Sequence, residues 1–192
     1  MTLPKAYADL ANEPGPKMLT EALNLYGTLE VKGPGNNAKI LAWADEVAAA
    51  NPTAYSKWAG KWYDSDSIAW CGLFCAVIAI RSAGQRHERM PPEKYLSAVE
   101  WQKFGTMIPK TKAALGDVLI FQRTGGGHVG LYVGEDADCF HVLGGNQADS
   151  VNITRISKAR LLAVRRPKYL SQPTNVRKIV RAPSGPVSAN EA

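Results

Sequence analysis

The sequence predicts an α+β fold in which helices come first and an antiparallel sheet follows. Apolar residues recur at helical spacing in segments between Met18 and Phe104. From Gly116 onward the pattern changes to short runs of β-branched and aromatic residues separated by Gly- and Asp-rich turns. The two kinds of segment are grouped, not alternating as in a parallel βαβ fold.

Residues 1–17 contain Pro4, Pro14, Gly15 and Pro16 and read as a loosely held lead-in. Between Met18 and Tyr26 the residues Leu19, Ala22, Leu23 and Tyr26 share a helix face, and Gly27 closes the segment. A turn over 31–37 follows, from which Asn36 or Asn37 can cap a helix running from Ala38 to about Ala50. Ile40, Leu41, Ala44, Val47 and Ala48 form its apolar stripe, and Asn51-Pro52 ends it. Tyr55, Trp58, Trp62 and Tyr63 make an aromatic-rich segment that suits either core or the wall of a cleft. Ile68 to Ile80 is apolar on every side and reads as a buried helix, with Asp64, Ser65, Asp66 and Ser67 as candidate caps and Gly84 as its stop. His87 lies among Arg86, Glu88 and Arg89 and reads as exposed, and Tyr95 to Phe104 suggests a short helix with Trp101 inward. Strands are expected over 117–121, 128–134, 139–143, 151–154 and 161–164, with turns at Gly125-Gly126-Gly127 and at 135–138. One domain over 18–167 results. The stretch 168–192, rich in Pro, Ser and basic residues, reads as a disordered tail.

The 192 residues suffice for a single core. No run is long and apolar enough for a membrane span, and the N-terminus lacks the apolar core of a secretory signal. Synthesis in the cytoplasm is therefore expected, with release or delivery needed to act outside. Three cysteines without a signal suggest reduced thiols, not a disulfide framework. Net charge is +6, and from Ser150 to Asn190 there is no Asp or Glu against nine Lys and Arg. Such a run suits an anionic partner such as a cell envelope, or else a solvated face. Aromatics are not interleaved with it, which argues against a nucleic-acid platform.

The chemistry centres on Cys71, at the start of the apolar helix. A thiol there feels the positive end of the helix dipole, which favours thiolate. A cysteine nucleophile needs an imidazole to exchange protons with and a polar group to orient that imidazole. His128 follows three glycines at the head of a strand, and Asn146 lies where the neighbouring strand ends. Cys75 shares a helix face with Cys71 but lies one turn deeper and reads as core, and Cys139 reads as an inward strand residue. The chain lacks His-Glu-x-x-His and paired Cys-x-x-Cys motifs, so neither a metal nor a cofactor is expected.

These words in this order, Trp70-Cys71-Gly72-x-Phe74, Gly116-Asp117-Val118, Gly127-His128-Val129-Gly130 and Leu143-Gly144-Gly145-Asn146-Gln147, resemble the papain-like peptidoglycan hydrolases of the NlpC and CHAP type. The likeness runs from about Met18 to Pro167 and is closest to a phage- and prophage-associated subgroup with the Gly-Gly-Asn-Gln element. It implies a papain-like fold, with the Cys helix packed on a small antiparallel sheet, and a cysteine peptidase or amidase that cuts amide bonds of the bacterial wall. By the resemblance Cys71 is the nucleophile, His128 the general base and then acid, and Asn146 the third member, with Gln147 and His141 as competitors. The backbone N–H of Cys71 would contribute to an oxyanion hole. Trp70, Gly127 and Gln147 are the expected substrate contacts. Peptidoglycan is the expected partner, the basic tail a contact to the anionic envelope, no specific nucleic acid is expected, and the chain is expected to act as a monomer. The rival reading is a non-catalytic wall-binding module of the same fold.

Overall fold

Helix formation in the first half follows the apolar stripes. The structure, a computed structural model, describes residues 2–84 and 89–191; His87, expected at the surface, lies outside the described residues. Its helices are α1 (Lys17–Asn24), α2 (Ala38–Ala50), α3 (Ala54–Trp62) and α4 (Cys71–Ala83). Asn37 caps α2, its side chain accepting the Lys39 N–H at 2.9 Å, and Thr53 caps α3 by accepting the Ser56 N–H at 3.0 Å. The aromatic-rich segment is thus itself a helix. Its exposed edge carries Trp58 and Trp62, whose rings stack with centroids 5.1 Å apart. Tyr63 turns inward and donates to the Ile68 carbonyl.

α4 is the central post. Nearly all its side chains are buried, because α1 and α2 cover one side and the sheet the other. That is why its sequence is apolar all round rather than striped. Gly84 ends it with a positive φ of 59°. The helix expected over 95–104 is a short 3-10 turn, Ala98–Lys103, with Trp101 buried as expected.

The sheet has seven strands: β1 (Thr106–Ile108), β2 (Val118–Arg123), β3 (Gly126–Glu135), β4 (Cys139–Gly144), β5 (Asn152–Ser157), β6 (Leu161–Arg166) and β7 (Val187–Ser188), in the order β1-β6-β2-β3-β4-β5-β7. All neighbours are antiparallel except β5 and β7. Val129, Leu131 and Val133 of β3 join the core around α4, while Tyr132 joins a smaller core on the other face with Phe121 and Phe140. The architecture is the α+β one expected. Strands β1 and β7 were not foreseen, since runs this short carry no readable alternation.

Both ends of the chain depart from expectation. Tyr7 and Leu10 of the lead-in are buried in the main core, on a 3-10 turn over Lys5–Asn12. The stretch after Pro167 is laid along the sheet instead of being disordered. Ile179 accepts the Glu135 N–H at 2.9 Å, and Arg181 donates its N–H to Glu135 at 2.8 Å. Charge explains the ordering. Arg177 pairs with Glu13, Lys178 with Glu135 and Arg181 with Asp9, while upstream Arg155, Lys158 and Arg166 pair with Asp136, Glu135 and Asp117. Much of the basic run therefore meets acidic partners from elsewhere in the fold. Local composition cannot show this, because those partners are distant in sequence.

Candidate active site

Cys71 is the first residue of α4, preceded by Trp70 at the cap position. None of the expected side-chain caps serves this helix. Asp66 instead accepts the backbone N–H groups of Val31 at 3.0 Å and Asn37 at 2.8 Å, tying the turn before α2 to the loop before α4. With no side-chain cap, the N–H groups of Cys71 and Gly72 act on the Cys71 sulfur. Burial pushes the Cys71 thiol up; the Val129 N–H, the Arg123 guanidinium and the N–H groups of Gly72 and Cys71 pull toward thiolate without overcoming it. The dipole argument gave the right direction for the helix and omitted the larger cost of desolvation. The residue is 3% exposed.

The Val129 N–H aimed at this sulfur belongs to the residue after His128. His128 is 1% exposed and sits on β3 opposite Phe121 of β2, just past a two-residue hairpin turn at Thr124-Gly125. Its Nε2 lies 3.0 Å from Gln147 Oε1. The amide orientation is fixed by the other end of Gln147. Its NH2 donates to the carbonyls of Val142 at 3.2 Å and Asn152 at 2.7 Å and to Asn152 Oδ1 at 3.0 Å, so Oε1 is the end that faces the ring. Gln147 therefore accepts, Nε2 carries the hydrogen, and Nδ1 is left with a bare lone pair. Nδ1 is buried and has no partner among the described residues. Burial drives the imidazole pKa down to about 4, so the ring rests neutral. A neutral imidazole with an unmatched acceptor can take up a proton, and Val129, the next residue of β3, brings this strand to the Cys71 sulfur.

Close packing lets these groups converge. A Cβ on Gly144 would lie 2.8 Å from Gln147 Oε1 and 3.1 Å from His128 Nε2, and one on Gly145 would lie 2.6 Å from the Trp70 ring and from Phe74 Cβ. The Gly-Gly pair thus lets the end of β4 pass between the imidazole and the root of α4.

The third position differs from the first choice made on sequence. Gln147, not Asn146, is hydrogen-bonded to His128. Asn146 has φ 55° and begins a tight turn in which Ala148 and Asp149 are also left-handed. One step along that turn sends neighbouring side chains in different directions, which sequence order does not reveal. His141 is also outside the site. Its Nδ1 lies 2.7 Å from Tyr7 Oη and its Nε2 2.9 Å from Asp136 Oδ2. Trp70, expected to touch substrate, is fully buried against Trp43 and donates its indole N–H to Glu30. Gln147, expected likewise, has its amide committed within the fold, and Gly127 pairs with Gln122 on β2. Cys75 is sealed in the core one turn deeper, where burial raises its thiol well above the usual range, and Cys139 is buried on β4. Among the described residues no three His, Cys, Asp or Glu side chains gather as a metal site, and no helix is long and apolar enough to cross a membrane.

Residues 59–166 match the NlpC/P60 family, a span that holds Cys71, His128 and Gln147 and more than half of the chain. The chain belongs to the NlpC/P60 family. Members of this family are cysteine peptidases, which directs the reading to cell-wall hydrolysis. The match falls on the NlpC side of the resemblance drawn from sequence. No curated protein matches the chain significantly.

Outside the NlpC/P60 motifs, the sequence reading missed Asn152, Arg123, Arg160 and Glu191. Asn152 anchors Gln147, its Nδ2 donating to the Gln147 carbonyl at 2.6 Å. Arg160 holds Glu191 with two bonds of 2.7 Å, and Glu191 is 1% exposed. The field of Glu191 reaches His128, and that of Arg123 reaches both His128 and Cys71. The one available signal was Glu191 as the sole acidic residue after Asp149.

Proposed function

We propose that this chain is a peptidoglycan hydrolase of the phage endolysin type, a cysteine endopeptidase or amidase acting through Cys71, His128 and Gln147. The observation that carries the reading is the bare, buried Nδ1 of His128 on a strand whose next residue, Val129, turns its N–H to the Cys71 sulfur at an uncapped helix start. In the reaction the Cys71 S–H proton passes to Nδ1, and sulfur attacks the amide carbonyl carbon. The Nε2–H donated to Gln147 Oε1 holds the ring in the productive tautomer. The first N–H groups of α4, that of Cys71 among them, supply an oxyanion hole for the charge forming on oxygen. The C–N bond then breaks as the imidazolium returns its proton to the leaving nitrogen. Water, deprotonated by the same ring, hydrolyses the thioester and restores the thiol. The phage-type assignment is supported by Gly144-Gly145-Asn146-Gln147, which here packs around His128.

The test is digestion of purified peptidoglycan followed by mass spectrometry of the released fragments. The parent should generate new termini at one kind of amide bond, and Cys71→Ala none while keeping its fold. Fragments from Cys71→Ala equal to those from the parent would overturn the mechanism. The burial of Cys71 favours one other reading, a wall-binding module that cleaves nothing. In that case neither protein releases fragments and both bind the wall alike.

A further inference from the structure

The segment Val187–Glu191 folds back to the turn that carries Gln147. Val187 and Ser188 pair in parallel with Arg155 and Ile156 of β5. The Glu191 carbonyl accepts the N–H of Ala148, the residue after Gln147, at 2.9 Å. Its side chain is taken up by Arg160, Nη1 and Nη2 each 2.7 Å from a carboxylate oxygen, while Arg160 Nε donates to the Gln122 carbonyl at 2.9 Å. Asn190 Oδ1 accepts from Arg123 Nη1 at 3.0 Å. The second guanidinium is incompletely matched, since Arg123 Nε is buried without a partner among the described residues.

Two arginines thus hold the segment that reaches the turn carrying Gln147, Arg160 by the Glu191 carboxylate and Arg123 by the Asn190 amide oxygen, and the charge of both is felt at the imidazole. Both Arg123 and Arg160 are half-buried. A guanidinium partly withdrawn from water favours an anionic partner, and its fork geometry selects a carboxylate. The segment that supplies it is held by a two-residue strand, the shortest in the sheet, so it is the natural element to yield.

We propose that Arg123 and Arg160 form a carboxylate-binding subsite beside Cys71 and His128 for an acidic peptide substrate, and that Asn190 and Glu191 occupy it here as an internal stand-in. The substrate class rests on the hydrolase reading; the subsite and its occupant do not. Substrate displaces the segment, its carboxylate taking the place of Glu191 on Arg160, and the displacement uncovers the site.

The experiment follows alkylation of Cys71 in the full chain by mass spectrometry, using neutral iodoacetamide and anionic iodoacetate. Glu191→Gln breaks a charge-assisted pair, so both reagents should label Cys71 about tenfold faster than in the parent. Iodoacetate should gain more than iodoacetamide. In the double variant Glu191→Gln, Arg160→Gln that excess should vanish, and Arg160→Lys in the same background should restore part of it. A blocked dipeptide with a glutamate side chain should protect Cys71 in Glu191→Gln and fail in the double variant, its glutamine counterpart failing in both. Thermal melts by circular dichroism separate loss of fold from loss of the subsite. Labelling of Glu191→Gln at the parent rate would overturn the occlusion. An iodoacetate-to-iodoacetamide ratio unchanged by Arg160→Gln would overturn the subsite. Alkylation needs no turnover, so a failure of wall hydrolysis is seen separately in the peptidoglycan digest.

Discussion

Two histidines on adjacent strands of this sheet are both buried, and burial holds both below the ordinary histidine pKa. Their surroundings set them to opposite uses. His141 has a partner on each nitrogen, Tyr7 and Asp136, and Asp136 is further held by Arg155 at 2.8 Å. Burial pushes the Asp136 carboxyl up, but Arg155, His141 and the N–H groups of Asp138 and Cys139 together bring it well below the usual carboxylate range. That network ties the N-terminal turn to the β3–β4 hairpin and leaves no proton site open. His128 has its network on one side only, through Gln147 and Asn152, and keeps Nδ1 unmatched. A buried imidazole satisfied at both nitrogens braces the fold, whereas one satisfied at a single nitrogen retains the capacity to move a proton.

The contrast can be broken most sharply by deletion. His128→Ala should lower wall hydrolysis about a thousandfold or more, read as fragment release per folded enzyme. His141→Ala should do the reverse. It should keep turnover in the folded fraction while costing about 3 kcal/mol in urea unfolding, because Asp136 and the Tyr7 hydroxyl lose a buried partner. Comparable turnover losses in the two variants would erase the distinction.

Acid titration sharpens it further. The folded pKa of His128 is depressed, so the unfolded chain takes up a proton first as pH falls below the ordinary value of 6.5. Stability should therefore be full above that pH and decline until the folded ring titrates at about 4. The loss is on the order of 3 kcal/mol for His128, and His141 adds to it in the same direction. Urea midpoints between neutral pH and pH 4 should fall less steeply in His128→Gln than in the parent.

Smaller effects separate Gln147 from its neighbour. Gln147→Ala frees the imidazole to rotate and should reduce turnover by between about tenfold and a hundredfold. Asn146→Gly should leave turnover near the parent level and stability within about 0.5 kcal/mol, since glycine accepts φ 55°. A larger turnover loss in Asn146→Gly than in Gln147→Ala would return the third position to Asn146.

The change of periodicity at Gly116, the apolar run of α4 and the glycine before His128 are local signals, and from them the sequence by itself determined the α+β order, the buried cysteine helix and most strand positions. It also brought Asn146 and Gln147 to the right turn, because the motif words lie on consecutive strands. Which of those two meets the ring was decided only by the left-handed turn after β4, a backbone detail with no trace in residue order. The same holds for the side-chain cap expected on α4, which Asp66 could not supply once it bound the loop before α2. Most of all, the chain ends were misread from their composition. Arg181 and Asp9 meet 2.9 Å apart, and Arg160 and Glu191 meet beside His128. Order there comes from pairing charges across the folded molecule, and only the tertiary structure brings those charges together.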